Sequence, residues 1–246
     1  MVSTFQKTLV VIPALNEEES VGAVVLEVFE KLPGITCLVV DDGSWDSTAI
    51  EARSVGALVA QLPFNLGVGG AMRVGFRYAL DHGFDNVVQV DADGQHDPAC
   101  VVALLRNLKN ADLVLGARFA GEGDYFVKGP RRWAMLLLSH FLSRTAHTKL
   151  TDTTSGFRLS GPRAVRLFAE HYPAEYLGDT IESLVIAARA KCVIVQVPVA
   201  MRVRSGGRPS QHPVKAAVYL ARAVLALSFA LMRPPVRLKE VVASAT

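Results

Sequence analysis

Apolar runs and amphipathic stretches alternate through the first half of the chain. Thr8–Ile12 is a β-branched and apolar run closed by Pro13, and Cys37–Val40 is a second, stopped by the polar stretch DDGS. Further runs stand near Leu58–Leu62, at Val87–Val90 and at Leu113–Leu115. Between them the period changes. Val21, Val24, Val25, Val28 and Leu32 recur at helical spacing in and just beyond Glu17–Lys31. Helices are also predicted from about Ser47 to Ser54, from NLGVGGA through about Asp81, and from Pro98 to Leu108. Strands apolar at consecutive positions are buried on both faces. Alternating with helices, they predict an α/β fold with a mostly parallel central sheet flanked by helices.

The second half is less regular. It carries a Gly-rich, charged loop from Gly121 to Gly129 and an apolar helix from about Arg131 to Ala146. The turn TDTTSGFRLSG, a helix from Pro162, a helix from Ile181 to Lys191 and a strand at Val193–Val197 follow. MRVRSGGRPSQHP then leads to a last apolar helix from Val214 to Met232. The expected organisation is one domain over residues 1–212, with an amphipathic helix and tail over 213–246 that is interfacial or packed on the domain.

Bulk properties narrow the function classes. The 246 residues suffice for one large α/β domain. Net charge is +3 with both signs mixed, which gives no electrostatic footprint for a nucleic-acid partner. Half the residues are hydrophobic and the mean hydropathy is +0.29, high for a freely soluble protein. Cys37, Cys100 and Cys192 are far apart among apolar neighbours, with no CxxC. Buried reduced thiols in a reducing compartment follow, rather than structural zinc. The N-terminal apolar run is short and leads into Pro and acids, unlike a secretion signal.

The chemistry concentrates where strands stop. In open α/β sheets ligands bind beyond the carboxyl ends of the strands. Three such ends are polar here, PALNEEE, DDGSWDS and DADGQHDP, and they should converge on one crevice. The last is the most informative. Asp91 and Asp93, with Gln95, can face one hard cation such as Mg²⁺, which takes oxygen ligands and relieves the repulsion between the carboxylates. An EF-hand is excluded, since Gly94 is fourth and Val102 twelfth in the loop. Asp97 is placed to cap the helix that starts at Pro98. NLGVGGA is neither GxGxxG nor a Walker motif, so a phosphate cradle and close helix–sheet packing both stay open.

These motifs together carry a resemblance. VVIPALNEEES, VVDDGSWDST, NLGVGGAMRVGF, DADGQHDP, GAR at 116–118, SGFRL at 155–159 and VPVAMRVRSGG at 197–207 occur in this order. The chain resembles the inverting glycosyltransferases of family 2, which have the GT-A fold, and within them the subgroup similar to dolichol-phosphate mannose synthase. The resemblance spans roughly residues 8 to 232. It implies transfer of a sugar from a GDP- or UDP-linked nucleotide-sugar donor to a polyprenyl phosphate acceptor, with Mg²⁺ or Mn²⁺ as cofactor.

By motif, Pro13, Leu15 and Glu17 fall at nucleotide-binding positions, with Leu15 where the family often has Tyr. Asp41 and Asp42 match the acidic pair that grips base and ribose, and Ala92 lies against the nucleotide. Asp91, Asp93 and Gln95 match the metal site, which makes Asp93 a catalytic candidate as well. Arg118 and Arg131, with Arg132 beside them, are expected to hold the acceptor phosphate, and Arg204 the nucleotide diphosphate. Guanidinium groups match phosphate oxygens in bidentate geometry. A phosphate monoester is already largely a dianion near neutrality, with a second pKa of about 6, so it needs no catalytic base. If a base is used after all, Asp152 is the candidate, with Glu182 behind it. His96 is expected to be structural.

Two rival readings stand beside this one. A family 2 enzyme with a sugar hydroxyl acceptor, in cell-envelope polysaccharide or glycolipid synthesis, would need a working base. An inactive nucleotide-sugar-binding subunit would not need the complete DxDxQ set. A lipid acceptor also implies a membrane surface. The apolar stretch 216–232 has 17 residues with Arg222 inside, short for a span and suited to an interfacial helix. The expected localisation is cytoplasmic, peripheral on the inner face of the membrane. A membrane-protein partner or a homo-oligomer stays open.

Attachment through Lys215, Tyr219 and Arg222 on one helical face would be partly electrostatic. The protein should therefore sediment with anionic liposomes at low salt and be at least partly released at high salt. Sedimentation indifferent to liposomes at any salt contradicts the surface assignment.

Overall fold

The computed structural model describes residues 5, 7–117, 139, 142–144, 146, 148–173, 179–200 and 202. Within them the chain runs β1 (Thr8–Ala14), α1 (Val21–Lys31), β2 (Thr36–Asp41), α2 (Thr48–Ser54), β3 (Leu58–Gln61), α3 (Gly67–Asp81) and β4 (Asn86–Gln89). A 3₁₀ turn at Pro98–Cys100 leads into α4 (Val101–Asn107) and β5 (Leu113–Ala117). After the 118–138 stretch come β6 (Arg158–Ser160), α5 (Pro162–His171), α6 (Asp179–Arg189) and β7 (Ile194–Pro198). The expected helices at 131–146 and 214–232, and with the latter the proposed 213–246 segment, lie outside or largely outside the described residues.

The strands form one sheet in the order β3-β2-β1-β4-β6-β5-β7. All neighbouring pairs are parallel except those of β6, which runs antiparallel between β4 and β5. Alternate residues of each strand point to opposite faces. Leu9 and Val11 of β1 and Leu38 and Val40 of β2 bury against α3, α5 and α6. Val10 and Ile12 of β1, and Cys37 and Val39 of β2, bury against α1, α2 and α4. The result is three layers with the sheet in the middle, each fully buried aliphatic side chain contributing roughly 1.5–3 kcal/mol. On α1 the expected face of Val21, Val24, Val25 and Val28 is the buried one.

Pro13 does not end β1. The strand continues through it to Ala14, still in register with β2. The reason is directional. Val11 O accepts from Val90 N, so Pro13, two residues on, turns its imide nitrogen toward the same side. The β4 ladder has already stopped there at Gln89, and the missing N–H costs no ladder bond.

Close helix–sheet packing falls at Gly75, four residues beyond NLGVGGA. A Cβ on Gly75 of α3 would lie 2.5 Å from Val11 Cγ1 and 2.8 Å from Cγ2. The helix therefore rests directly on the central strand. Phe76, one residue on, meets Phe168 and Tyr172 at ring separations of 5.1 Å each, which fastens α3 to α5 and its end.

Cys37 and Cys192 are buried as expected, whereas Cys100 is only half-buried. Cys37 is pushed up to about 12 and Cys192 to about 11, mainly by desolvation.

Gly75→Ala should lower Tm. Overpacking costs about 1–3 kcal/mol, and the gain in helix propensity returns at most ~1 kcal/mol. In a Val11→Ala background the same substitution should cost far less, because the clashing methyls are gone. Equal Tm losses in both backgrounds would show that α3 does not bear on Val11.

Candidate active site

The parallel order β2-β1-β4 brings three acidic strand ends side by side, as their sequences led one to expect. The loops after β1 and β2 are stitched together. Asn16 N donates to Ser44 Oγ at 2.9 Å, Glu17 N to Thr48 Oγ1 at 2.8 Å, and Trp45 N to Asn16 Oδ1 at 3.1 Å. Asn16 adopts φ 55°, a left-handed conformation that asparagine tolerates better than most residues. Pro13, Leu15 and Glu17 are half-buried along this edge. Glu17 Oε2 accepts from Ser20 Oγ at 2.8 Å near the start of α1.

Asp41 and Asp42 are nearly inaccessible, at 2 % and 4 % exposure. Asp41 accepts from Ser44 N at 3.0 Å and from Gln61 Nε2 at 3.2 Å. Asp42 accepts from Leu66 N at 2.7 Å and from Gly67 N at 2.8 Å. Its carboxylate thus caps α3 from another loop and meets the positive end of the helix dipole. Burial pushes the Asp42 carboxyl above its ordinary value; the two N–H donors oppose the rise and the Asp41 charge adds to it. Gly43 makes the approach possible. Its φ is +78°, and a Cβ there would stand 2.8 Å from the Phe64 carbonyl carbon. The cap of α2 falls instead to Asp46, whose Oδ1 accepts from Thr48 N at 3.0 Å.

Beyond β4 the chain turns through DADGQHDP. Gly94 takes φ +75°, and Asp93 Oδ1 accepts from Gln95 N at 3.0 Å, closing a tight turn. Asp97 caps the 3₁₀ turn through Ala99 N at 2.9 Å. The Asp93 side chain is 8 % exposed, and that of Asp91 is open at 36 %. Asp91 Oδ1 accepts from Gln89 Nε2 at 3.0 Å. His96, 2 % exposed, accepts from Asp91 N through Nδ1 at 3.0 Å and places Nε2 3.5 Å from Asp91 Oδ2. Ala92 sits in the apolar cluster beneath, with its side chain in the core. Among the described residues neither Asp41, Asp42 nor Asp91 has a lysine or arginine within ion-pair distance.

SGFR was expected to be a turn. Its arginine begins β6, paired with Gln89 of β4 and Leu115 of β5. A strand of three residues led by an arginine has no apolar run to announce it. Arg158 is 6 % exposed and donates to the carbonyls of Ser155, Thr180 and Thr153 and to Ser183 Oγ. It ties the TDTTSG segment to α6, a role that a buried charge can fill only with such a full set of acceptors. The segment then reaches the acidic loop: a Cβ on Gly156 would lie 3.1 Å from Gln89 Nε2 and 3.2 Å from Asp91 Oδ2. Asp152 has no exposed surface, and its Oδ1 accepts from Thr154 N and Thr154 Oγ1. Glu182 is 6 % exposed on α6.

The far side of the acidic loop is fastened by Arg202. Its N–H donates to Gln95 O at 3.0 Å, Nη1 reaches both Glu27 oxygens at 2.7 and 2.9 Å, and Nη2 lies 2.9 Å from Asp97 Oδ2. No sequence signal separated this arginine from Arg204 two residues on. Arg118, Arg131, Arg132 and Arg204, the expected phosphate contacts, lie outside the described residues.

Comparisons with known proteins bear on the family and the fold. Residues 9–169 match the model of glycosyl transferase family 2. An undecaprenyl-phosphate mannosyltransferase of Micrococcus luteus is 32% identical over 78% of this chain and 82% of its own length. A UDP-N-acetylglucosamine–dolichyl-phosphate N-acetylglucosaminyltransferase of Methanococcus voltae is 28% identical over 77% of this chain and 83% of its own. Among solved structures, glucosyl-3-phosphoglycerate synthase of Mycobacterium tuberculosis, in complex with Mn²⁺, UDP and phosphoglyceric acid, superposes with a TM-score of 0.70. That match has 23% identity and covers 95% of this chain and 81% of the other. The mixed sheet flanked by helices is the GT-A fold, and the chain belongs to glycosyltransferase family 2.

Proposed function

We propose that the chain moves a sugar, with inversion, from a nucleotide-sugar to a polyprenyl phosphate, using a divalent cation held by Asp91, Asp93 and Gln95. The observation that carries this reading is the open Asp91 carboxylate at the junction of three acidic strand ends. It is supported by relatives named for undecaprenyl-phosphate and dolichyl-phosphate acceptors.

The residues present fit a cation. Asp91 is partly open, and among the described residues its side chain is held by an amide and a buried imidazole rather than cancelled by a fixed cation. Among the described residues no three His, Cys, Asp or Glu side chains form a cage on their own. That suits Mg²⁺ or Mn²⁺, which are commonly bound by one or two carboxylates plus substrate phosphates. When bound, such an ion would offset the charge developing on the leaving diphosphate.

The protein groups supply orientation. Asp41 and Asp42 each keep unused lone pairs beyond their protein bonds, and these can accept from ribose hydroxyls or a base N–H. Pro13, Leu15, Glu17 and Ala92 flank them at the ends of β1 and β4. Arg118, Arg131 and Arg132 are assigned to the acceptor phosphate and Arg204 to the donor diphosphate, by their places in the matched motifs. The acceptor needs no proton removed. A hydroxyl acceptor would need a base at the attacking oxygen, the part for which Asp152 is the candidate. Among the described residues no helix is long and apolar enough to cross a membrane. Contact with the lipid is assigned to the surface-seeking stretch 213–246.

Incubation with polyprenyl phosphate, Mn²⁺ or Mg²⁺ and a panel of labelled GDP- and UDP-sugars should give a labelled lipid. EDTA should abolish it and added metal restore it. Asp93→Asn should cut the rate by about 100-fold or more while Tm stays close to the parent's. Full activity in chelator would overturn the metal assignment, and the absence of labelled lipid from every donor would overturn the acceptor.

The arginines should separate by substrate. Arg118→Ala should raise KM for polyprenyl phosphate more than for the nucleotide-sugar, and Arg204→Ala the reverse. If both raise only the nucleotide-sugar KM, their assignment is wrong.

A further inference from the structure

The histidine of DADGQHDP is buried beside Asp91, the most exposed of the loop's three carboxylates, and both its nitrogens face that residue. Asp91 N–H donates to Nδ1 at 3.0 Å. A nitrogen that accepts from a backbone donor carries no proton, so the neutral ring's proton is on Nε2. Nε2 lies 3.5 Å from Asp91 Oδ2, a close approach rather than a formed hydrogen bond. The ring cannot swing away. It is 2 % exposed and stacks on Phe157, with centroids 4.9 Å apart and planes at 26°. Phe157 is itself buried next to Gly156, whose missing side chain leaves room for the Asp91 carboxylate.

We infer that His96 is a positioning residue for the metal site: it fixes both the backbone and the carboxylate of Asp91, so that the loop presents its oxygen to the cation already oriented. This rests on the proposed metal assignment of Asp91 and Asp93. The physical basis is general. A carboxylate that must find its geometry on binding loses rotamer freedom at that moment, whereas one held by neighbours has lost it on folding. Partners that orient metal ligands typically contribute 10–100-fold in affinity. The other oxygen of Asp91 is held by the neutral amide of Gln89 at 3.0 Å, so the carboxylate has a hydrogen bond on one side and the buried imidazole close by on the other.

The test is Mn²⁺ affinity, read from the free-ion EPR signal, in the parent protein and in Asp93→Asn, His96→Phe and His96→Asn, each with a thermal melt. His96→Phe keeps the stack on Phe157 and loses both polar contacts. Asn can place its amide oxygen where Nδ1 stood and restore the acceptor for Asp91 N–H. The expected result is a Kd raised about 10-fold or more in His96→Phe, with part of that loss recovered in His96→Asn. A merely structural histidine would lower Tm in His96→Phe and leave the Mn²⁺ affinity of the folded protein at the parent's value; that outcome overturns the inference. If Asp93→Asn binds Mn²⁺ as the parent does, or the parent binds none, the metal assignment itself fails and the inference falls with it. Normal binding in the parent, weak binding in Asp93→Asn and parent-like binding in His96→Phe would sink the positioning role alone.

Discussion

The site depends on negative charge that the described part of the protein holds in place without neutralising. Asp41, Asp42 and Asp91 stand at the ends of β2 and β4, the two parallel strands that flank β1. Among the described residues, their partners are backbone N–H groups, glutamine amides and one buried histidine. Neutral donors fix the direction of a carboxylate and leave most of its charge available. Like charges gathered this way are costly to the empty fold, and a bound cation relieves that cost. Family 2 membership and the GT-A fold give the chemical context in which such a cost is useful.

The remainder of the fold keeps those strand ends aligned. Gly75 lets α3 rest on Val11 of the central strand, and Asp42 then meets the N-terminus of the same helix. One carboxylate at the end of β2 therefore serves as a cap of α3. On the other side, Arg158 braces the SGFR segment against α6, and Gly156 brings that segment onto Asp91. Arg202 closes the ring by joining α1, the acidic loop and the chain beyond β7. Helix packing, a buried guanidinium and a surface ion cluster thus bear on one short loop. Of the three the ion cluster is the weakest stabiliser, since partly exposed ion pairs contribute little.

Much of this was legible in the residues. Consecutive apolar runs identified β1, β2 and β4, and a parallel order puts their ends together whatever the details of the loops. Asp97 is a cap, as expected, but of a 3₁₀ turn at Pro98–Cys100 that precedes the helix rather than of the helix itself. What was not legible depended on distance along the chain or on short elements. The start of α3 is capped locally by Asn65, whose Oδ1 accepts from Gly67 N, and also by Asp42, 24 residues before Leu66, which no local pattern encodes. β6 has three residues and a buried arginine, so it carries neither length nor apolar periodicity. Pro13 looked like a strand end because the side its nitrogen faces cannot be known from sequence. The histidine of the acidic loop was expected to be structural. Its two contacts to Asp91 give that structural role a direction, because they act on the residue that carries the open charge.

The most direct test of the account is where a divalent ion goes. Crystals of the protein grown with Mn²⁺ and UDP or GDP should show, in an anomalous difference map, one strong peak at the DADGQ loop. The account predicts carboxylate oxygen of Asp91 or Asp93 about 2.1 Å from the ion, close to the range for small hard cations, with the diphosphate completing its coordination. A nucleotide bound in the crevice with no ion at that loop, or with the ion held elsewhere, would contradict it.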